Sequence, residues 1–232
     1  MDVWGRGMMC GMGKLWSSVL DLALPLECGG CATPGTRWCG PCADAYGQGP
    51  VRLRPRVDPG VPVWSLGTYV GSRRQAVLEV KEHGRRDLSQ PLGQALAVGL
   101  SRLRELGELD PPELAPLALV PAPSRRAAAR RRGGDPVHRI VGRAAAALAP
   151  EQVVVAANLE MGRGVRDSVG LGAEARTRNL DGQVRLRGVI PRTGTVVLVD
   201  DVVTTGATAS ESVRVLSAAG VRVHAVLALV HV

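Results

Sequence analysis

Phenylalanine is absent from this chain, and all aromatic residues together make up only 3% of it. A core has to be assembled from Val, Leu, Ala and Ile, which suits parallel strands buried under helices on both faces. A surface that stacks nucleobases on aromatic rings is nearly missing. Lysine is almost as scarce: two lysines stand beside twenty-seven arginines, so planar guanidinium groups carry the positive side of the +8 net charge. Such groups pair bidentately with phosphate. That charge fits an anionic ligand or partner, and it equally fits a compositional bias with no functional content. No run comes near the ~18 uninterrupted apolar residues of a membrane-spanning helix, so no membrane insertion is expected. A hydrophobic fraction of 45% against 22% charged residues excludes wholesale disorder. The 232 residues suffice for one medium domain with a small appendage.

No export signal is expected either. Arg6 and Lys14 precede an apolar stretch from Leu15 to Leu26, but Asp21 interrupts it and no small-residue cleavage site follows. Residues 1–14 are expected to form a disordered leader and Leu15–Leu24 a short amphipathic helix. The expected compartment is the reducing cytoplasm, where paired cysteines are metal ligands more often than disulfides. Four of the five cysteines fall as Cys28-Gly-Gly-Cys31, seven intervening residues, then Cys39-Gly-Pro-Cys42. Each CxxC turn can aim two thiolates at one ion, and two such turns complete the four-sulfur tetrahedron that zinc prefers. Gly29, Gly30, Gly40 and Pro41 supply the tight backbone. A closed shell of this kind leaves no open coordination position, so the zinc is expected to be structural. Cys10 is left over.

Pro50, Pro55, Pro59 and Pro62 among arginines mark Val51–Pro62 as a linker. Residues 15–58 are thus read as helix, zinc knuckle and linker, and residues 59–232 as the main domain, its first strand starting near Val63. Strands are expected at Val63–Tyr69, Leu117–Val120, Val153–Ala156, Thr195–Asp200 and Val221–Val230. Helices are expected from Ser72, as cap, to about His83, and at Leu88–Leu106, Pro136–Leu148 and Ala207–Ala219. Strands alternating with helices imply an α/β fold with a mostly parallel sheet flanked by helices. Ligands of such sheets bind beyond the carboxyl ends of the strands.

The segment Val196-Val197-Leu198-Val199-Asp200-Asp201-Val202-Val203-Thr204-Thr205-Gly206-Ala207-Thr208 puts two carboxylates at the end of an apolar strand. A hydroxyl-rich turn then opens a helix. Backbone N–H groups of the turn, the hydroxyls of Thr204, Thr205 and Thr208, and the helix dipole together make a site for a phosphate monoester. Gly206 lets the backbone close around it. Asp200 and Asp201 can accept hydrogen bonds from the ribose hydroxyls of a sugar whose 5′-phosphate lies in the turn. The plainer reading is a helix capped after a strand, with acids at the solvent edge. Arg125, Arg126, Arg130, Arg131 and Arg132 lie just after another strand end, where pyrophosphate, a nucleic-acid backbone or solvent could take up their charge. His83, His138, His224 and His231 are isolated from one another and read as ordinary surface or satisfied core residues.

VVLVDDVVTTGAT resembles the phosphoribosyl pyrophosphate (PRPP) signature of type I phosphoribosyltransferases. With the four-cysteine knuckle, residues 15–232 resemble the ComF family of competence-associated, amidophosphoribosyltransferase-like proteins. Tyr69-Val70-Gly71-Ser72 followed by Lys81 and Gly84 is similar to the family's stretch in which a lysine follows the first strand. Val120-Pro121-Ala122-Pro123 through Arg132-Gly133 is similar to its pyrophosphate loop, with Gly134 and Asp135 where Phe and Asn are usual. Arg166 through Arg176 and Asn179 resemble its mobile segment, with Ser168 where Gln is common and Leu171 kept. The resemblance implies a type I phosphoribosyltransferase-like fold, with Asp200, Asp201 and Lys81 as catalytic residues. It implies that Thr204, Thr205, Gly206, Ala207, Thr208, Pro121, Ala122, Arg125 and Arg130 bind PRPP, with magnesium accompanying the ligand. Purine-salvage relatives commonly carry an acid at the position matching Thr204, and its absence counts against hypoxanthine or guanine transfer. The resemblance also implies a link to DNA uptake and transformation. Under that link the expected alternative is a non-catalytic, zinc-containing adaptor that binds single-stranded DNA and competence proteins; a zinc-dependent nucleic-acid adaptor with a vestigial phosphate loop is a third reading.

Overall fold

Two runs dominate the sheet because they are apolar on both sides, as a strand covered by helices above and below must be. They are β7 (Thr195–Val203) and β8 (Ala225–His231). The computed structural model describes residues 26–124, 134–162, 182–190 and 194–232. The expected leader, the Leu15–Leu24 helix, Cys10, the arginines from Arg125 to Arg132 and the Arg166–Asn179 segment lie outside these.

In chain order the other elements are α1 (Gly40–Tyr46), β1 (Val51–Leu53), β2 (Val63–Ser65), α2 (Gly71–Lys81), α3 (Ser89–Glu105), β3 (Leu117–Pro121), α4 (Pro136–Ala147), β4 (Val153–Val155), β5 (Leu159–Met161), β6 (Val184–Leu186) and α5 (Ala207–Ala218). Six strands form one sheet in the order β1-β2-β8-β7-β3-β4. All pairings in it are parallel except β1 with β2. Side chains alternate strictly: Leu117, Leu119, Val197 and Val199 join the core under α2, α3 and α4, whereas Ala118, Val120, Val196 and Leu198 join the core under α5 and the β5–β6 hairpin. The result is an α/β architecture with a mostly parallel sheet covered on both faces. Among the described residues no helix is long and apolar enough to cross a membrane.

Several expected boundaries move, for identifiable reasons. The Val51–Pro62 linker opens with β1, since Val51–Leu53 can pair antiparallel along β2 before Pro55 removes the next donor. Ser72 does not cap α2. Val70 holds the cap position in extended conformation without a side-chain bond, and Gly71 at φ +53° makes the bend into the helix. β2 is shorter than expected, and β8 starts at Ala225 rather than Val221. Pro121 does not stop β3 short but is its last residue, paired with Val199. Its missing N–H faces the side where β4 has already ended, so no ladder bond is lost. The β5–β6 hairpin was not expected.

The crossovers fix where a ligand can lie. From β3 the chain passes through α4 outward to β4; from β7 it passes through α5 in the opposite direction to β8. β3 and β7 are neighbours, so their carboxyl ends flank a topological switch point, the crevice in which open α/β sheets bind ligands.

Candidate functional site at the switch point

β7 carries Asp200 and Asp201 inside its ordered length, since pairing with β8 continues through Val203. The acids therefore sit within the strand, whereas the sequence reading put them at its end. Val196 and Leu198 face the α5 side and Val197 and Val199 the α2 side; by alternation Asp200 and Asp201 leave the strand on opposite sides. The Asp201 N–H donates to Asp200 Oδ1 at 2.8 Å.

Lys81 is the last residue of α2, where a cation also suits the helix dipole. Its Nζ lies 2.8 Å from Asp201 Oδ1, with Val77, Val80, Leu92, Val137 and Leu229 lining the hollow behind the pair. Burial works against the Lys81 ammonium, but Asp201, with Asp200 and Tyr69, outweighs it and holds the group above its ordinary value. Burial, reinforced by the Asp201 charge, pushes Asp200 up to about 7 despite Lys81 nearby. One carboxylate is thus paired with a cation while its neighbour keeps a proton near neutral pH.

Beyond β7, Gly206 takes φ +87° at the N-cap of α5 and offers no side-chain cap. The amides of the helix's first turn consequently have no capping carboxylate or hydroxyl from that position. Ala207 N–H reaches Thr205 Oγ1 at 3.4 Å; Thr204 is exposed and Thr208 half-buried. Pro121 and Ala122, buried at the end of β3, run alongside, and Ala122 N–H donates to Val199 O at 2.7 Å. Asp200, Asp201, Lys81, Pro121, Ala122 and Thr204–Thr208 are therefore brought to one end of the sheet. Arg125 and Arg130 lie outside the described residues.

The sequence reading missed a strap across this turn. Val57 N–H donates to Thr205 O at 2.9 Å. A Cβ on Gly206 would stand 2.7 Å from Pro55 Cβ and closer still to Val57 O. Gly206→Ala is therefore expected to lose about 1–3 kcal/mol of stability, from positive φ and strap displacement together. Urea denaturation checks this, and an unchanged midpoint would contradict it.

The second cluster is the knuckle. The Sγ atoms of Cys28, Cys31, Cys39 and Cys42 lie within 4.8 Å of one another, with Cys28–Cys39 at 3.5 Å and Cys31–Cys39 at 3.4 Å. A zinc–sulfur tetrahedron has edges of roughly 3.8 Å, so the set can hold that ion with small adjustment. Burial raises the Cys28 thiol, but backbone N–H groups of Gly30, Cys31 and Cys39 outweigh it and bring it to about 6. Burial and the surrounding sulfurs push Cys42 upward. A cation among the four sulfurs would favour the thiolate form of each. The knuckle is seated on the main domain: Gly29 leaves room for Leu88, whose Cδ2 would lie 2.6 Å from a Cβ there. Arg85 Nη2 donates to Glu27 O at 3.1 Å, and Arg73 Nη2 donates to Ala45 O.

Three of the four histidines have local partners, as ordinary residues do. His231 Nδ1 meets Ser65 Oγ at 2.6 Å, His224 Nδ1 accepts the Val196 N–H at 3.0 Å, and His83 lies 3.1 Å from Glu79. Compared with models of known protein families the chain matches none, and a search of curated proteins finds no match either.

Proposed function

We propose that this chain is a PRPP-binding, phosphoribosyltransferase-like protein of the ComF type that transfers or senses a phosphoribosyl group. One observation carries the reading: at the switch point of the sheet, β7 leads from two acids through Thr204-Thr205-Gly206 into the N-terminus of α5, which lacks a side-chain cap. A phosphate in the turn would take the free amides and hydroxyls. The ribose would then lie back over Asp200 and Asp201. Asp201, steadied by Lys81 at 2.8 Å, would accept a hydrogen bond from a ribose hydroxyl; Asp200, whose pKa of about 7 leaves it partly protonated, can accept or donate.

In the transferase version the C1′–O bond breaks with its electron pair leaving on pyrophosphate, and the sugar passes through an oxocarbenium-like state. Lys81 and the arginines after β3 would offset the charge on the leaving group. Magnesium, when bound with the ligand, would supply positive charge that offsets the charge developing on pyrophosphate. The donor set fits a metal held mainly through the ligand, because Lys81 already neutralises Asp201 and burial favours a proton on Asp200. The zinc of the knuckle would be structural.

Calorimetric titration with PRPP and magnesium, beside an oligonucleotide at two salt concentrations, tests this. Saturable PRPP binding is the expected result. Absence of PRPP binding together with salt-sensitive oligonucleotide binding would replace the reading with the DNA-binding adaptor. Pyrophosphate release screened across nucleobases, ammonia and glutamine then separates transfer from sensing.

A further inference from the structure

Helices α3 and α4 run in the same direction. Leu92 lies by Pro136, Val137 and Ile140, a Cβ on Gly93 would stand 2.9 Å from the Ala144 nitrogen, and Arg104 near the end of α3 meets Glu151 just past α4. At that far end the buried Arg104 guanidinium has a carboxylate 3.3 Å away. At the near end Arg139, the fourth residue of α4, has none. Its Nε, Nη1 and Nη2 are all buried and, among the described residues, have no hydrogen-bond partner.

The acid whose charge bears on it is already engaged. Asp135 Oδ1 accepts the N–H groups of Val137 and His138, and Oδ2 accepts from Ser124 Oγ. Burial first, then the Arg86 charge, holds Arg139 below the usual arginine range. A cation in the first turns of α4 also opposes the helix dipole. Ser89, the first residue of the neighbouring α3, is buried with its Oγ likewise without a partner among the described residues. Gly134, at φ +128°, presents bare backbone to Arg139: a Cβ there would stand 3.0 Å from Nη1. The Arg139 guanidinium at the N-terminal end of α4 and the Ser89 hydroxyl at that of α3 are thus both buried without a hydrogen-bond acceptor among the described residues, while Asp135 is taken up in capping α4. Leaving a buried charge unpaired is costly, and an anion removes that cost.

We propose that the junction between the N-terminal ends of α3 and α4 is a second anion site, taking a small phosphoryl or pyrophosphoryl group, with the Arg139 guanidinium as its cationic centre and Ser89 as a hydroxyl donor. A guanidinium whose nitrogens are all shielded from solvent favours a small or terminal group over a polymer backbone. This site is independent of the PRPP reading.

Inorganic pyrophosphate is the probe, added to the wild-type protein and to Asp200→Asn/Asp201→Asn, which lacks the proposed ribose contacts; thermal unfolding is the readout. Both proteins are expected to show a saturable rise in Tm. Arg139→Met should weaken pyrophosphate roughly tenfold to a hundredfold, the range for one charged hydrogen-bonding group, while the unliganded variant is at least as stable as its parent. Arg139→Lys should keep part of the response. A pyrophosphate response absent from the parents, or unchanged in Arg139→Met, overturns the proposal. So does an Arg139-dependent shift seen with an oligonucleotide but not with pyrophosphate. Should Arg139→Met not fold, Ser89→Ala and Arg139→Lys decide: weaker pyrophosphate binding in both supports the site, and unchanged binding in both overturns it.

Discussion

Asp200→Asn combined with Asp201→Asn is expected to weaken PRPP binding by more than a hundredfold while the sheet stays folded. Each acid would lose a charge-assisted hydrogen bond to a ribose hydroxyl, about 1.5–3 kcal/mol apiece, and neither is part of the apolar core. Calorimetry with PRPP and magnesium measures it, and an unchanged affinity would remove the ribose role from both residues.

The single variants should differ in stability because the two acids live in different fields. Asp200 holds its proton more tightly folded, at about 7, than unfolded, at about 3.9. Its contribution to stability is therefore fully present below pH about 4 and is lost as pH rises through about 7. Asn carries no such penalty. Asp200→Asn should match the parent near pH 4 and exceed it at pH 8, by an amount on the order of a few kcal/mol. Asp201→Asn should be less stable than the parent at both pH 5 and pH 8, since it leaves the largely buried Lys81 ammonium without its 2.8 Å partner. Thermal unfolding at these pH values is the measurement. A loss of stability at pH 8 in Asp200→Asn would contradict the assigned environment. A more stable Asp200→Asn protein with weakened PRPP binding would mark a site in which function opposes stability.

Removal of the metal is expected to have the other large effect. Purified protein should carry about one zinc per chain, and Cys31→Ser with Cys42→Ser should abolish its uptake. Structural zinc contributes on the order of 10 kcal/mol to the fold of a small knuckle, whereas the segment from Glu27 to Tyr46 has few buried apolar side chains of its own. The knuckle should therefore open and become a protease target, while the six-stranded sheet survives with a lower Tm because Leu88 and Arg85 lose the surfaces they pack on. Metal analysis and limited proteolysis check both halves. Four freely titratable thiols in a fully stable native protein would refute the metal assignment.

How much of this was legible in the chain depends on the range of the forces involved. Strands β3, β7 and β8 were readable because a strand buried on both faces must be apolar throughout, and that demand is written locally. The knuckle was readable because CxxC spacing sets thiolate positions within one turn. The strand-turn-helix from Val196 to Thr208 was readable because an apolar run, a glycine break and a helical pattern are each local signals. β1 was not, since an edge strand of three residues with two exposed side chains carries almost no hydrophobic signal. Nor were the β5–β6 hairpin and the Val57–Thr205 strap, whose bonds join segments that are distant in sequence.

The sequence by itself thus determined the chemistry on offer: four cysteines at doubled CxxC spacing, two acids followed by a hydroxyl-rich turn, and a lysine on the first long helix. Tertiary structure alone decided how those groups meet. Asp200 and Asp201, adjacent in the chain, are sent to opposite sides by the pleat; only the packing of α2 against β7 puts Lys81 on one of them, so that one acid is paired with a cation and burial pushes the other up to about 7. Arg139 and Arg104 each lie on a helix. The parallel packing of α3 on α4 buries both guanidinium groups and, among the described residues, sets a carboxylate within ion-pair distance of Arg104 alone of the two, because pairing and burial depend on what the rest of the fold brings within a few ångströms, which no local pattern encodes.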